Sequence, residues 1–147
     1  MGPIKFTVLL CCGLLPGMLS MPLLAQSVSV DHAWARSTVA AQTSTGAFMD
    51  VTSKEAAVLT GVSSPAAGTV EMHEMRMEGN IMKMRALDKL ELPAGKTVKF
   101  TPGAYHLMLL ELKHPLRAGD VVPLTLEIET RDGKRTKVEI KAEVRSP

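Results

Sequence analysis

Five methionines and a histidine crowd into the thirteen residues MHEMRMEGNIMKM, Met72 to Met84. The whole chain has ten methionines, so this one segment holds half of them. Thirty residues on, GAYHLMLL places His106 two positions before Met108. Thioether sulfur is a soft, uncharged donor that suits Cu(I), and imidazole also binds copper well. Structural zinc sites take mostly Cys and His, which disfavours a methionine-rich set. Calcium and magnesium demand oxygen ligands. A blue-copper electron-transfer site needs a Cys thiolate, and the two cysteines, Cys11 and Cys12, fall in a leader-like segment. The competing use of methionine is to fill irregular gaps in a core. Met49, and Met84 taken alone, fit that use as well as any.

Chemistry of this kind needs elements that bring the donors together. The methionine segment reads as two strand-like arms around Glu78-Gly79-Asn80. With Glu78-Gly79 as the turn, His73 faces Met84 and Met75 faces Met82. With Gly79-Asn80, the better turn pair by residue type, Met75 faces Met84. In either register His73, Met75, Met82 and Met84 share one face, because cross-strand partners point the same way. Met72 has the opposite parity and is expected in the core. On a strand, His106 and Met108 also share a face, about 7 Å apart. One further strand pairing would set them beside His73 and Met84.

The rest of the sequence supplies such strands. VVPLTLEIET, Val121 to Thr130, puts Val122, Leu124, Leu126 and Ile128 on one face. Lys137 to Val144 repeats the pattern with Val138, Ile140, Ala142 and Val144, and Asp132-Gly133 between them signals a hairpin. Ser27 to Val30 alternates, with Trp34 in the same parity and expected as a core anchor. Thr45 to Thr52 and Ala57 to Ser63 are weaker strand candidates. No long stretch keeps a 3.6-residue period. Short strands with regular turn residues predict an all-β antiparallel sandwich or small barrel.

Residues 1–25, MGPIKFTVLLCCGLLPGMLSMPLLA, have a lysine near the start, an apolar middle and a small residue at Ala25. That is the layout of a secretory signal peptide. Its removal leaves a single domain, residues 26–147, with no cysteine and no stable membrane span. Disulfides and thiolate chemistry are closed to such a chain. The formal net charge is only +2 and aromatic residues make up 3% of the sequence, so there is no signature of nucleic-acid binding.

The order His73, ten residues, Met84, twenty-one residues, His106, one residue, Met108 resembles the signature of the periplasmic copper chaperone family PCu(A)C. Flanking text is similar as well: Ala33-Trp34-Ala35-Arg36, Ser63-Ser64-Pro65-Ala66-Ala67, Gly103-Ala104-Tyr105-His106-Leu107-Met108-Leu109, and Gly119-Asp120-Val121-Val122-Pro123-Leu124. Members commonly have two glycines where this chain has Gly103-Ala104, a change expected to touch no ligand. The resemblance implies a cupredoxin-like fold and His73, Met84, His106 and Met108 as Cu(I) ligands. It also implies carriage of copper in the periplasm. The implied partners are copper donor and recipient proteins, with delivery towards the dinuclear copper centre of cytochrome c oxidase or to its assembly factors. A monomer is expected.

Met75, Met77 and Met82 are candidates for auxiliary metal or partner contact, set against a hydrophobic rim role. Glu74, Arg76, Lys83 and Arg85 are expected to solvate the other face of the hairpin. His32 and His114 lack matching partners, and His114 is expected at the surface. Copper storage or resistance uses the same ligands and is the main alternative function. A copper enzyme is disfavoured, because no separate acid–base pair or cofactor motif is present. A metal-free interaction domain with a methionine-rich docking surface is the remaining reading.

Overall fold

The computed structural model describes residues 27–147. The expected signal peptide, with Cys11 and Cys12, lies outside the described residues. Within them the all-β expectation holds: there are ten strands and no helix. These are β1 (Val28–Arg36), β2 (Thr45–Ser53), β3 (Ala57–Ser63), β4 (Ala67–Glu78) and β5 (Ile81–Leu87), then β6 (Leu90–Leu92), β7 (Thr97–Phe100), β8 (His106–Leu112), β9 (Val121–Thr130) and β10 (Arg135–Arg145). They form one sheet in the order β5-β4-β8-β2-β1-β10-β9-β3-β6, with β7 also paired to β2. Neighbours are antiparallel except for β1 and β10, which run parallel with Trp34 beside Glu143 and Arg36 beside Arg145.

The alternating strands bury the faces their patterns predict. In β9, Val122, Leu124, Leu126 and Ile128 are buried, and in β10 Val138, Ala142 and Val144 join them. The hairpin between them is made by Asp132-Gly133: Gly133 has a φ of 80° and its amide donates to the Thr130 carbonyl at 2.9 Å. A type I turn followed by a left-handed glycine is a common three-residue hairpin connection. Inward residues of nine strands meet in one core, including Met49, Val51, Leu59, Met72, Leu92, Phe100, Leu107 and Leu109. Met49 and Met72 are therefore packing residues, as expected.

Trp34 does not anchor that core. A bulge interrupts the pairing of β1 with β2 between Asp31 and Trp34, and His32 sits at a φ of 53°. The extra residue flips the alternation, so Ala35 turns inward and is fully buried. Trp34 turns to the outer face, half-buried, and packs on Phe48 with ring centroids 4.6 Å apart. Phe48 is also covered by the Arg36 guanidinium, 5.4 Å from its ring centre. A bulge that re-aims side chains in this way is a known device beside functional sites.

β4, β8 and β2 are adjacent in the sheet and position the candidate donors. Met72 lies opposite Leu107, and both are in the core. The next rung, His73 opposite His106, therefore faces outward. Met108 follows on the same face, opposite Gly46 of β2.

Candidate metal centre

The β4–β5 hairpin takes the second of the two registers open to it. Glu78 pairs with Ile81, leaving Gly79-Asn80 as the turn, and Met75 pairs with Met84. Gly79 has a φ of 64°, which an L side chain rarely adopts. Met77 pairs with Met82 one rung nearer the tip. The reverse face carries Glu74 opposite Arg85 and Arg76 opposite Lys83. An ion pair joins Lys83 Nζ to Glu78 Oε2 at 2.7 Å. Arg76, Lys83 and Arg85 are exposed, as the alternation predicts, whereas the Glu74 side chain is largely covered, 16% exposed.

Met84 is the meeting point. Its Sδ lies 3.0 Å from Nδ1 of His73 and 3.2 Å from Nε2 of His106. The two imidazoles stand edge to face, with centroids 5.4 Å apart. Met84, His106 and Met108 line a groove of about 320 Å³ together with Met75, Arg36 and Gly46. His73 is not part of that lining and reaches the cluster through Met84. The structure thus brings His73, Met84 and His106 into mutual contact and places Met108 in the same groove. Met77 and Met82 stay outside it.

The remaining ring nitrogens fix which atoms are free to bind. Nε2 of His73 lies 2.8 Å from Oε2 of Glu71. A carboxylate only accepts, so this nitrogen carries the proton in the neutral ring. Nδ1 of His106 lies 3.3 Å from the Ala104 carbonyl oxygen, which also only accepts. Nδ1 of His73 and Nε2 of His106 are then the unprotonated nitrogens, and both point at the Met84 sulfur. Three electron-pair donors converge there with no proton between them. Contacts of lone pair against lone pair are unfavourable alone and favourable around a cation. A histidine tied back to a carboxylate or a carbonyl is the usual second layer of a metal site.

Burial separates the donors. His106 is 9% exposed, whereas Met84 is 52% exposed on the edge strand β5. Burial holds the His106 imidazole below its ordinary range. The Ala104 carbonyl works against that shift, while the neighbouring His73 and Arg36 reinforce it.

Three contributors escaped the sequence reading. Glu71 sits in a strand of mixed polarity and reads as a solvated charge. Arg36 and Phe48 join the site only through the bulge in β1 and the β2–β8 pairing. The Gly103-Ala104 pair lies beside the site through its backbone: the Ala104 carbonyl, which a glycine would equally supply, contacts His106 and accepts the Met75 amide at 3.2 Å. Thr101-Pro102-Gly103-Ala104 forms a turn closed by the Ala104 amide on the Thr101 carbonyl. Gly103 at a φ of 85° sets it, so the turn aims a carbonyl at the His106 ring. His114 is exposed, as expected, and His32 pairs with Asp50 at 3.1 Å, on β1 and β2.

Among the described residues no group of three or more His, Cys, Asp or Glu side chains is placed to hold a metal. No helix in the described residues is long and apolar enough to cross a membrane.

Residues 28–144 match the model of a family described as "Putative lipoprotein LpqE-like". The chain is 34% identical over 119 residues to "Putative lipoprotein Lxx21020" of Leifsonia xyli subsp. xyli, covering 79% of this chain and 69% of that protein. Among solved structures it is similar to the copper-bound PCuAC domain from PmoF2, with a TM-score of 0.65, 24% identity, and 82% of this chain and 94% of that one covered. It is also similar to Cu(I)-loaded DR1885 from Deinococcus radiodurans, with a TM-score of 0.62, 26% identity, and 83% and 82% of the two chains covered.

Proposed function

The chain belongs to the LpqE-like family, of PCu(A)C type, and on that premise we propose that it is a Cu(I) metallochaperone of the periplasm. It carries copper after export and passes it by ligand exchange towards the dinuclear copper centre of cytochrome c oxidase. It acts as a binding protein and catalyses no reaction of its own. The ligands are His73 through Nδ1, His106 through Nε2, and the sulfurs of Met84 and Met108. One observation carries this reading: one ring nitrogen of each imidazole, His73 Nδ1 and His106 Nε2, faces a single thioether sulfur, at 3.0 and 3.2 Å.

The spacing suits a small ion. With metal–nitrogen and metal–sulfur lengths of about 2.0 and 2.3 Å, nitrogen and sulfur in a tetrahedral shell stand roughly 3.5 Å apart. An opening of only a few tenths of an ångström then admits the ion, within reach of methionine rotamers. All four donors are neutral, which favours a monovalent soft cation over harder divalent ones.

The unequal burial of the donors gives the transfer a direction. Met84, on the edge strand, is the ligand a partner reaches first. Its replacement by a donor from the recipient opens a shared intermediate, and buried His106 releases last. Absence of thiolate charge keeps the copper exchangeable. Anaerobic Cu(I) loading followed by X-ray absorption tests the assignment. Two nitrogen and two sulfur neighbours are expected; a shell of light atoms alone, or no uptake, would overturn it.

A further inference from the structure

Met77 and Met82 take no part in the groove, yet they are the hairpin's most conspicuous residues. They are direct cross-strand partners, 57% and 47% exposed. The next rung inward pairs Met75 with Met84, and Met75 lines the groove beside His106 and Met108. Successive rungs on one face lie about 7 Å apart, a gap that flexible methionine side chains can close. The hairpin therefore carries an unbroken run of thioethers from its tip to the groove. Core packing does not account for them, since both are largely exposed and neither belongs to the core cluster. Edge strands such as β5 are ordinarily blunted with charge on their exposed faces. On β5 the charges, Lys83 and Arg85, occupy only the reverse face, leaving Met82, Met84 and Ala86 on this one.

We propose that Met75, Met77 and Met82 form a second, weaker Cu(I) site, a three-sulfur landing point from which the ion moves down the hairpin into the main site. This rests on the Cu(I) reading above. Thioethers alone select Cu(I) over harder ions, and the d10 ion accepts three-coordinate surroundings. The site lacks an imidazole and must order three mobile side chains, which costs conformational entropy. It is accordingly the weaker of the two and exchanges faster. Met75 lies between both sites and can be handed from one ion position to the other.

The test is an anaerobic Cu(I) titration of the whole protein with 13C-labelled methionine methyls observed by NMR. The Met84 and Met108 methyls are expected to shift in the earlier step. The Met77 and Met82 methyls are expected to shift in a later, fast-exchanging step. In a Met77→Leu/Met82→Leu double variant, the later shift of Met75 disappears and the earlier step keeps its affinity within about twofold. Static Met77 and Met82 methyls, movement of them in the same step as Met84, or a later Met75 shift that survives in the double variant would each overturn the second site. If Met84 and Met108 also stay still, the main reading fails instead, so the two failures are distinguishable.

Discussion

At the scale of the residue, lone-pair direction matters more than proximity. Glu71 holds His73 by its far nitrogen at 2.8 Å, and this choice of tautomer leaves Nδ1 free. Glu71→Ala is expected to weaken Cu(I) by about tenfold to a hundredfold, the usual effect of losing a partner behind a metal-bound histidine. Glu71→Gln retains an accepting oxygen and should fall between; competition with a Cu(I) chelator measures both. Met84→Leu removes the sulfur that both rings face and should cost at least about tenfold, near 1.4 kcal/mol, with the fold intact. His106 adds a pH dependence. Its imidazole is held below the ordinary range by burial, so between the ordinary value of about 6.5 and that lower one the unfolded chain binds more protons. Stability of the copper-free protein is then full above that ordinary value and declines as pH falls towards the depressed one. Denaturant midpoints at several pH values check this, and the decline should shrink in His106→Asn. The four proposed donors, His73, Met84, His106 and Met108, and their spacing come from the sequence. Glu71 was not legible there, because a carboxylate beside apolar residues reads as solvated unless its partner on the same face is known.

At the scale of the element, two turns of similar backbone strain do different jobs. Gly103 and Gly133 both have strongly positive φ, 85° and 80°, and an added Cβ at either meets nothing within 4 Å. Alanine at each should therefore cost about 1–2 kcal/mol through backbone conformation alone. Their effects on copper should differ. Gly103→Ala disturbs the turn that aims the Ala104 carbonyl at His106 and should weaken Cu(I). Gly133→Ala, in the β9–β10 hairpin, should leave copper affinity unchanged at equal loss of stability. Paired unfolding and chelator-competition measurements separate the two. The strands themselves were largely legible: Ala57–Ser63 matches its expected bounds, and β2, β9 and β10 match closely. The β1 bulge was not, since nothing in the alternation of Val28 and Val30 announces that His32 will leave the extended region. That single residue is why Trp34 was placed on the wrong face. The hairpin register was open between two choices; the one observed puts the positive φ of the first turn position on Gly79 rather than on Glu78.

At the scale of the whole molecule, the site lies on the outer surface of a sheet whose other face is the core. A ligand change should therefore leave the fold standing, while a core change should destabilise without touching copper geometry. Leu124→Ala, fully buried in β9, should cost about 2–5 kcal/mol. Bound copper should raise stability by about 2.7 kcal/mol at a free concentration one hundred times its dissociation constant. A tenfold weaker Met84→Leu should keep only about 1.4 kcal/mol of that gain at the same free copper concentration. Thermal unfolding with and without Cu(I) tests both. Fold class was legible because alternation and turn residues specify strands. Strand order was not, because parity carries no information about which strands adjoin or in which direction they run.

The parallel contact between β1 and β10 has a consequence for how the protein comes into being. All four proposed ligand positions have emerged by residue 108, but β9 and β10, with a large share of the hydrophobic interior, come later. The opening strand has no lasting neighbour on one side until β10 arrives. Only β10 joins β5-β4-β8-β2-β1 to β9-β3-β6, so the two halves of the sheet become one only when the end of the chain is available, and such distant pairings form slowly. Ligands therefore appear before the scaffold that orients them, and copper met during that interval encounters a loose chain of sulfur and imidazole rather than a shaped cradle.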